Sequence, residues 1–272
     1  MGKFFDDIPS FLVPWLAEQE MFWVATAPLA GGHVNVSPKG VRGCFHYVSP
    51  TRVWYEDLTG SGIETIAHLR EEGNARITIM FSAFQGPPRI ARLFGTGTAH
   101  EYGTPEYDAL LPAHTRKPGS RAAIVIDVHK VGTSCGYAVP LYAFQAHRTR
   151  LLDYFARCEE RDRVEQGPAD KGLRAYWLEK NMQSIDGLPT LASAHECARV
   201  PESVFDEAKE GERAVVSGEG LARLKLGLAR EQVGFLMGLV VGGLLAVVYV
   251  QMSAIWAMDV RARLGDLMFG GI

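Results

Sequence analysis

The sequence predicts a mainly β chain with α-helices: a small barrel, followed by C-terminal helices that include one transmembrane helix. Three observations predict this. Six or so short runs are rich in β-branched and aromatic residues and punctuated by Gly and Pro. One or two helical segments lie between them, which suits a barrel better than a parallel doubly wound sheet. Residues 75–82 alternate, with Arg76, Thr78 and Met80 on one face and Ile77, Ile79 and Phe81 on the other, the period of a half-buried strand. Residues 232–258 carry no charged side chain, and 233–250 are almost continuously apolar, close to the roughly 20 residues that span a bilayer core.

Taken in order, residues 9–19 read as a short helix leading into a strand at 21–27. Gly31 and Gly32 then make a hairpin turn into a strand that begins at Val34 and runs through Ser37 to Lys39. Val53, Trp54 and Tyr55 have strand composition. Ser61, Gly62, Ile63 and Glu64 have the S-x-x-E form of a capping box, with the following helix carried by Ile66, Ala67 and Leu69. Pro87 and Pro88 end the strand at 75–82. The next strand, 89–100, contains Gly95 and Gly97 as points of bulge or close approach. An apolar strand follows at 122–128. Residues 151–164 form a charged helix with Leu151, Phe155 and Cys158 on one stripe and its charge run facing solvent. A shorter helix at 171–181 carries Tyr176 and Trp177, and Trp177 is expected in the core.

Chemistry concentrates at the second hairpin and the loop after it. The N–H groups at a helix start favour an anion, and Lys39 ends the preceding strand, so this region is a candidate phosphate cradle. Glu64 opposes that reading with a negative charge. The pair Gly60 and Gly62 does not complete a dinucleotide fingerprint, because Thr65 stands where a third glycine belongs. Four cysteines, Cys44, Cys135, Cys158 and Cys197, are widely spaced, with no zinc-ligand spacing and no disulfide framework; Cys135 is expected to be a small buried residue. His33, His46, His68 and His100 have no partner carboxylate at a readable spacing. No catalytic residue is assigned: chemistry, if present, falls to a cofactor.

Five ordered motifs make the pattern more specific. They are Asn-Val-Ser-Pro-Lys-Gly at 35–40, the segment 55–65 from Tyr55 through Glu56 and Asp57 to Thr65, and the segments 80–93, 133–140 and 184–189. Together they resemble an uncharacterised branch of the pyridoxamine 5'-phosphate oxidase-like family of FMN-binding split barrels, over about the first 190 residues. The resemblance implies a homodimer with FMN in an interfacial cleft. Asn35, Val36, Ser37 and Lys39 would lie along the flavin, Tyr55 and Glu56 would touch its ring or ribityl chain, and Ser61, Gly62 and Thr65 would receive the phosphate. Two departures from the oxidase itself, Asn35 in place of an arginine and Gly62-Ile63 in place of an Arg-Lys pair, put the vitamin B6 reaction in doubt. A sheet edge at 80–84 is expected to need cover by the second subunit.

The expected organisation is an FMN-binding domain at 1–150, a helical extension and linker at 151–230, a membrane anchor at 231–258 and a tail at 259–272. The 272 residues are 47% hydrophobic with a net charge of −3, which argues against a nucleic-acid binder. Tyr249 and Trp256 suit an interface, and Arg223, Lys225 and Arg230 precede the apolar run. With no signal peptide at its start, the chain is expected to be tail-anchored with its large domain on the cytoplasmic face of a membrane. The expected function is an FMN-dependent oxidoreductase of an unidentified small molecule. The alternative is a non-catalytic module binding flavin, deazaflavin or haem.

Overall fold

A computed structural model describes residues 2–201 and 203. Eight strands form one antiparallel sheet: β1 (Lys3–Phe5), β2 (Phe22–Thr26), β3 (Asn35–Lys39), β4 (Phe45–Ser49), β5 (Arg52–Leu58), β6 (Arg76–Ser82), β7 (Ile90–Glu101) and β8 (Ser120–Ser134). Five helices accompany them: α1 (Leu12–Ala17), α2 (Glu64–Arg70), α3 (Pro105–Leu110), α4 (Arg150–Val164) and α5 (Leu173–Lys180). The hydrogen-bonded order is β3-β2-β6-β7-β8-β5-β4, with β1 added beside the end of β8.

The sheet rolls on itself. Phe22 on β2 meets Phe45 on β4 at 5.3 Å between ring centroids and Tyr55 on β5 at 5.6 Å, although those strands lie near opposite ends of the order. The expected alternation of β6 holds: Ile77, Ile79 and Phe81 are buried in this interior, and burial of such side chains drives the closure. Among the described residues no ladder joins β3 to β4, so the roll stays open along that seam.

β8 is the common strand. It pairs with β7 along one side and with β5 and then β1 along the other. The β7–β8 register shifts between Phe94 and Gly95, the position where a bulge is expected from the sequence. A Cβ on Gly95 would stand 2.6 Å from the Asp127 carbonyl oxygen. Gly31 and Gly32 take φ of +68° and +65° in the β2–β3 turn, which only glycine adopts freely.

Several expectations change. The 80–84 segment is an edge only in part: β6 pairs with β7 as far as Ser82, but with β2 only at Thr78, Ile79 and Met80. The capping box does not form: α2 begins at Glu64, with Ile63 as N-cap and no side-chain cap, two residues later than Ser61 would place it. α4 is not simply solvated on its charged side. Glu159 is buried against Arg116 at 2.7 Å, and Asp162 is buried accepting the Ala169 and Arg174 N–H groups. Cys135 is exposed, because the chain leaves the sheet at Ser134. Strands β1 and β4 and helix α3 are additions to the expected elements. The α3 signal is present in the sequence, Thr104 capping the Tyr107 N–H ahead of Pro105, whereas β4 has no alternation to read.

α4 and α5 pack on the roll within one compact unit, Met1–Phe205. The second unit, Asp206–Ile272, with the apolar run, the anchor assigned to 231–258 and the 259–272 tail, lies outside the described residues. Among the described residues no helix is long and apolar enough to cross a membrane.

Candidate functional site

A cleft of about 290 Å³ opens beside β3, between its inward face, the end of β5, the loop after it and the start of α2. Strand geometry explains the contribution of β3: alternate residues share a face, so Asn35, Ser37 and Lys39 line the cleft while Val36, 62% exposed, points away. Glu56, Ser61, Gly62 and Thr65 also line it. Tyr55 does not. It is fully buried in the interior of the roll, where burial holds its phenol well above the usual value.

The loop following β5 is held from behind. Arg121, near the start of β8, donates through Nε to Asp57 Oδ2 (2.8 Å) and through Nη1 to Asn181 Oδ1 (2.9 Å). It also donates to the Gly60 carbonyl (3.3 Å) and the Gly62 carbonyl (2.8 Å). Asn181 Nδ2 donates to the same Gly60 oxygen at 2.9 Å. Thr59 donates to the Gly119 carbonyl at 2.6 Å and accepts the indole N–H of the buried Trp177 at 2.8 Å. Trp177 is thus a core residue, as expected, and its ring also braces this loop.

In a trans peptide the N–H points opposite the carbonyl. With the Gly60 and Gly62 oxygens turned towards Arg121, the Ser61 and Ile63 N–H groups face the other way. The Ile63 N–H already carries an anion: the Glu64 carboxylate accepts it at 2.9 Å.

The charges are paired. Lys39 Nζ lies 2.9 Å from Asp57 Oδ1, so the Asp57 carboxylate bridges Lys39 and Arg121. Burial opposes its ionisation, but the two cations and their hydrogen bonds outweigh burial and hold its carboxyl below the usual range. Glu56 accepts the Lys117 backbone N–H at 2.8 Å and the Lys117 Nζ at 2.9 Å. Burial pushes the neighbouring Cys44 thiol up to about 11, which leaves it an unreactive wall of the cleft.

Sequence reasoning did not assign Asp57, Arg121 or Asn181. Asp57 lies inside the 55–65 motif, and Arg121 is a charge at the head of an apolar strand, which is a readable signal. Asn181 gave none. Another unread pairing joins His33 to Asp186, with Nδ1 and Oδ1 2.7 Å apart across 153 positions of sequence. It lies outside the cleft lining.

The residues fit a phosphate-bearing flavin on one observation of this structure. An anionic oxygen already sits on the loop's outward N–H, beside a lysine and two hydroxyl side chains, and Glu64 is a flexible group that a phosphate can displace.

No family model matches the chain. It is 39% identical over 200 residues, covering 71% of this chain and 80% of that protein, to the pyridoxamine 5'-phosphate oxidase family protein ustO of Aspergillus flavus. Among solved structures, HupZ from Group A Streptococcus aligns with a TM-score of 0.37 at 22% identity, over 46% of this chain and 91% of that one. A FAD-binding protein from Mesorhizobium loti aligns at 0.33 and 13%, over 49% and 97%. The sequence relationship to ustO, at that identity and coverage, places this chain in the pyridoxamine 5'-phosphate oxidase family.

Proposed function

We propose that the cleft binds FMN, with the phosphate at residues 61–65 and the ring along β3, in an oxidoreductase acting on an unidentified small molecule. The observation that supports this most is the braced loop whose N–H groups at Ser61 and Ile63 face outward, the second already occupied by a carboxylate. A bound flavin supplies hydride transfer. The chain's part is to bind and orient: Lys39 and the 61–65 donors hold the phosphate, and Ser37 meets the remainder. The family relationship supports a flavin-sized ligand, and the homodimer that the resemblance implied is part of the proposal. So is attachment to the cytoplasmic face of a membrane through 231–258.

One feature favours a second reading, a flavin-binding module without turnover. Glu56 in the cleft is tied to Lys117, and Asp57 is tied to Lys39 and Arg121, which leaves neither carboxylate uncommitted as a general acid or base.

The visible spectrum of the purified full chain, with and without NADPH, separates these readings. A flavin spectrum that bleaches supports the enzyme, a flavin spectrum that persists supports the module, and a Soret band replaces both with haem. Lys39→Ala is expected to weaken FMN binding by about 1.5–3 kcal/mol, the range for a hydrogen bond to a charged group. Unchanged affinity in a fluorescence titration would move the phosphate elsewhere.

A further inference from the structure

A line of buried polar groups runs inward from the cleft wall. The two hydrogens of Asn35 Nδ2 go to Thr65 Oγ1 at 3.0 Å and to Thr26 Oγ1 at 3.1 Å. Thr26 Oγ1 in turn lies 2.9 Å from His68 Nδ1. Thr26, Thr65 and His68 are all buried, and His68 Nε2 has no hydrogen-bond partner.

Counting hydrogens gives the line a direction. Asn35 is the donor in both of its bonds, so each threonine oxygen accepts from it. The Thr26 hydroxyl has one hydrogen and one acceptor in reach, His68 Nδ1. If His68 Nδ1 carried the hydrogen instead, the Thr26 hydrogen would be stranded and Nε2 would remain unpartnered as well. The arrangement with fewer stranded groups makes His68 a neutral Nε2–H imidazole. Burial disfavours its charged form, in keeping with a single ring hydrogen.

The same count applies at the other end. Thr65 Oγ1 accepts from Asn35, so its own hydrogen is free to point away from that bond. Tyr55 lies beside it without completing a hydrogen bond; a phenol can donate or accept, and with no other acceptor for its own hydrogen it is assigned as a donor towards the second lone pair of Thr65 Oγ1. That leaves the cleft, which Thr65 lines, as the side on which its hydrogen can meet an acceptor.

We propose that Asn35 is a positioning residue: it fixes the direction of the Thr26–Asn35–Thr65 line and holds the Thr65 hydroxyl as a donor into the cleft, selecting a ligand that presents an acceptor oxygen there, as a phosphate ester does. This rests on the flavin reading for its ligand but not for its geometry. It gives a physical role to the asparagine that stands where the oxidase itself has an arginine. An arginine would contribute a charge, whereas this amide contributes a direction.

The test has two arms, both on the full chain. In the first, protein labelled with 15N-histidine is examined without ligand by long-range 15N–1H NMR, with His68→Gln identifying the signal. The parent is expected to show the Nε2–H tautomer. Asn35→Asp, whose carboxylate can only accept, should draw both threonine hydrogens to itself and switch His68 to Nδ1–H or to the doubly protonated ring. In the second arm, FMN affinity is measured for Asn35→Ala, Thr65→Val and the double variant. Each single change is expected to weaken binding roughly threefold to tenfold, the worth of one hydrogen bond. The double variant should be no weaker than Thr65→Val, because Asn35 acts through Thr65. An Nδ1–H tautomer in the parent overturns the proposal, as does an Asn35→Ala loss that persists in the Thr65→Val background. Failure of the parent to bind FMN at all overturns the flavin reading instead, and the imidazole spectrum still decides the direction of the line.

Discussion

Two cations share the Asp57 carboxylate, so its removal leaves Lys39 and the buried Arg121 facing each other without a counter-charge. Asp57→Asn is expected to destabilise the fold by about 3–5 kcal/mol, as breaking one partner of a buried pair does. The pH dependence follows from the sign of the shift. The carboxyl is held below its ordinary value, so its contribution is complete above about pH 4 and is lost as the pH falls through the lowered folded value. Urea unfolding between pH 7 and 2 should show an acid limb in the parent that is reduced in Asp57→Asn. Glu64 tests the opposite effect. Its carboxylate competes for the Ile63 N–H, so Glu64→Gln should tighten FMN binding roughly two- to fivefold, the scale of an exposed charge contact, in a fluorescence titration.

At the scale of the element, the β7–β8 ladder depends on two glycines for different reasons. A Cβ at Gly95 meets backbone, the Asp127 carbonyl oxygen at 2.6 Å, at the register shift; one at Gly97 meets Leu69 Cδ2 at 2.8 Å, the end of a side chain that can move. Gly95→Ala should therefore cost about 3 kcal/mol and Gly97→Ala about 1 kcal/mol, opposite ends of the overpacking range, by urea denaturation. These glycines also show what the sequence made legible. A glycine inside a strand, the period-two pattern of β6 and the diglycine turn are local signals, and each corresponds to a local feature of the structure. The cleft face of β3 could be read in the same way, since alternation puts Asn35, Ser37 and Lys39 on one side; placing Val36 along the flavin with them overlooked it. What resisted reading was long-range. Arg121 reaches the Gly62 carbonyl from 59 positions away and Asn181 reaches the Gly60 carbonyl from 121, and no periodicity encodes such a meeting. The capping box misled because it is a statistical preference. The Gly60 and Gly62 carbonyls, drawn to Arg121, set the loop's course, and the helix starts only after it.

At the scale of the molecule, α4 and α5 belong to the same compact unit as the sheet. A division after residue 150 describes where the strands stop and not where the support of the loop at 59–62 stops. Two of that loop's braces, Trp177 on Thr59 and Asn181 on Gly60, come from α5 and its C-cap. A fragment of residues 1–203 is expected to bind FMN as the full chain does. A fragment of residues 1–150 should bind at least tenfold more weakly even where circular dichroism shows its strands intact, because about 1.4 kcal/mol of lost organisation already accounts for that factor. Equal affinity in the two fragments would show that Arg121 alone suffices. The consequence reaches beyond this measurement. The cleft is not portable with the strands alone: the loop that walls it is propped by a helix that follows the barrel in the chain, and any hybrid, graft or minimal sensor built on this scaffold inherits that wall only if it carries the helix along.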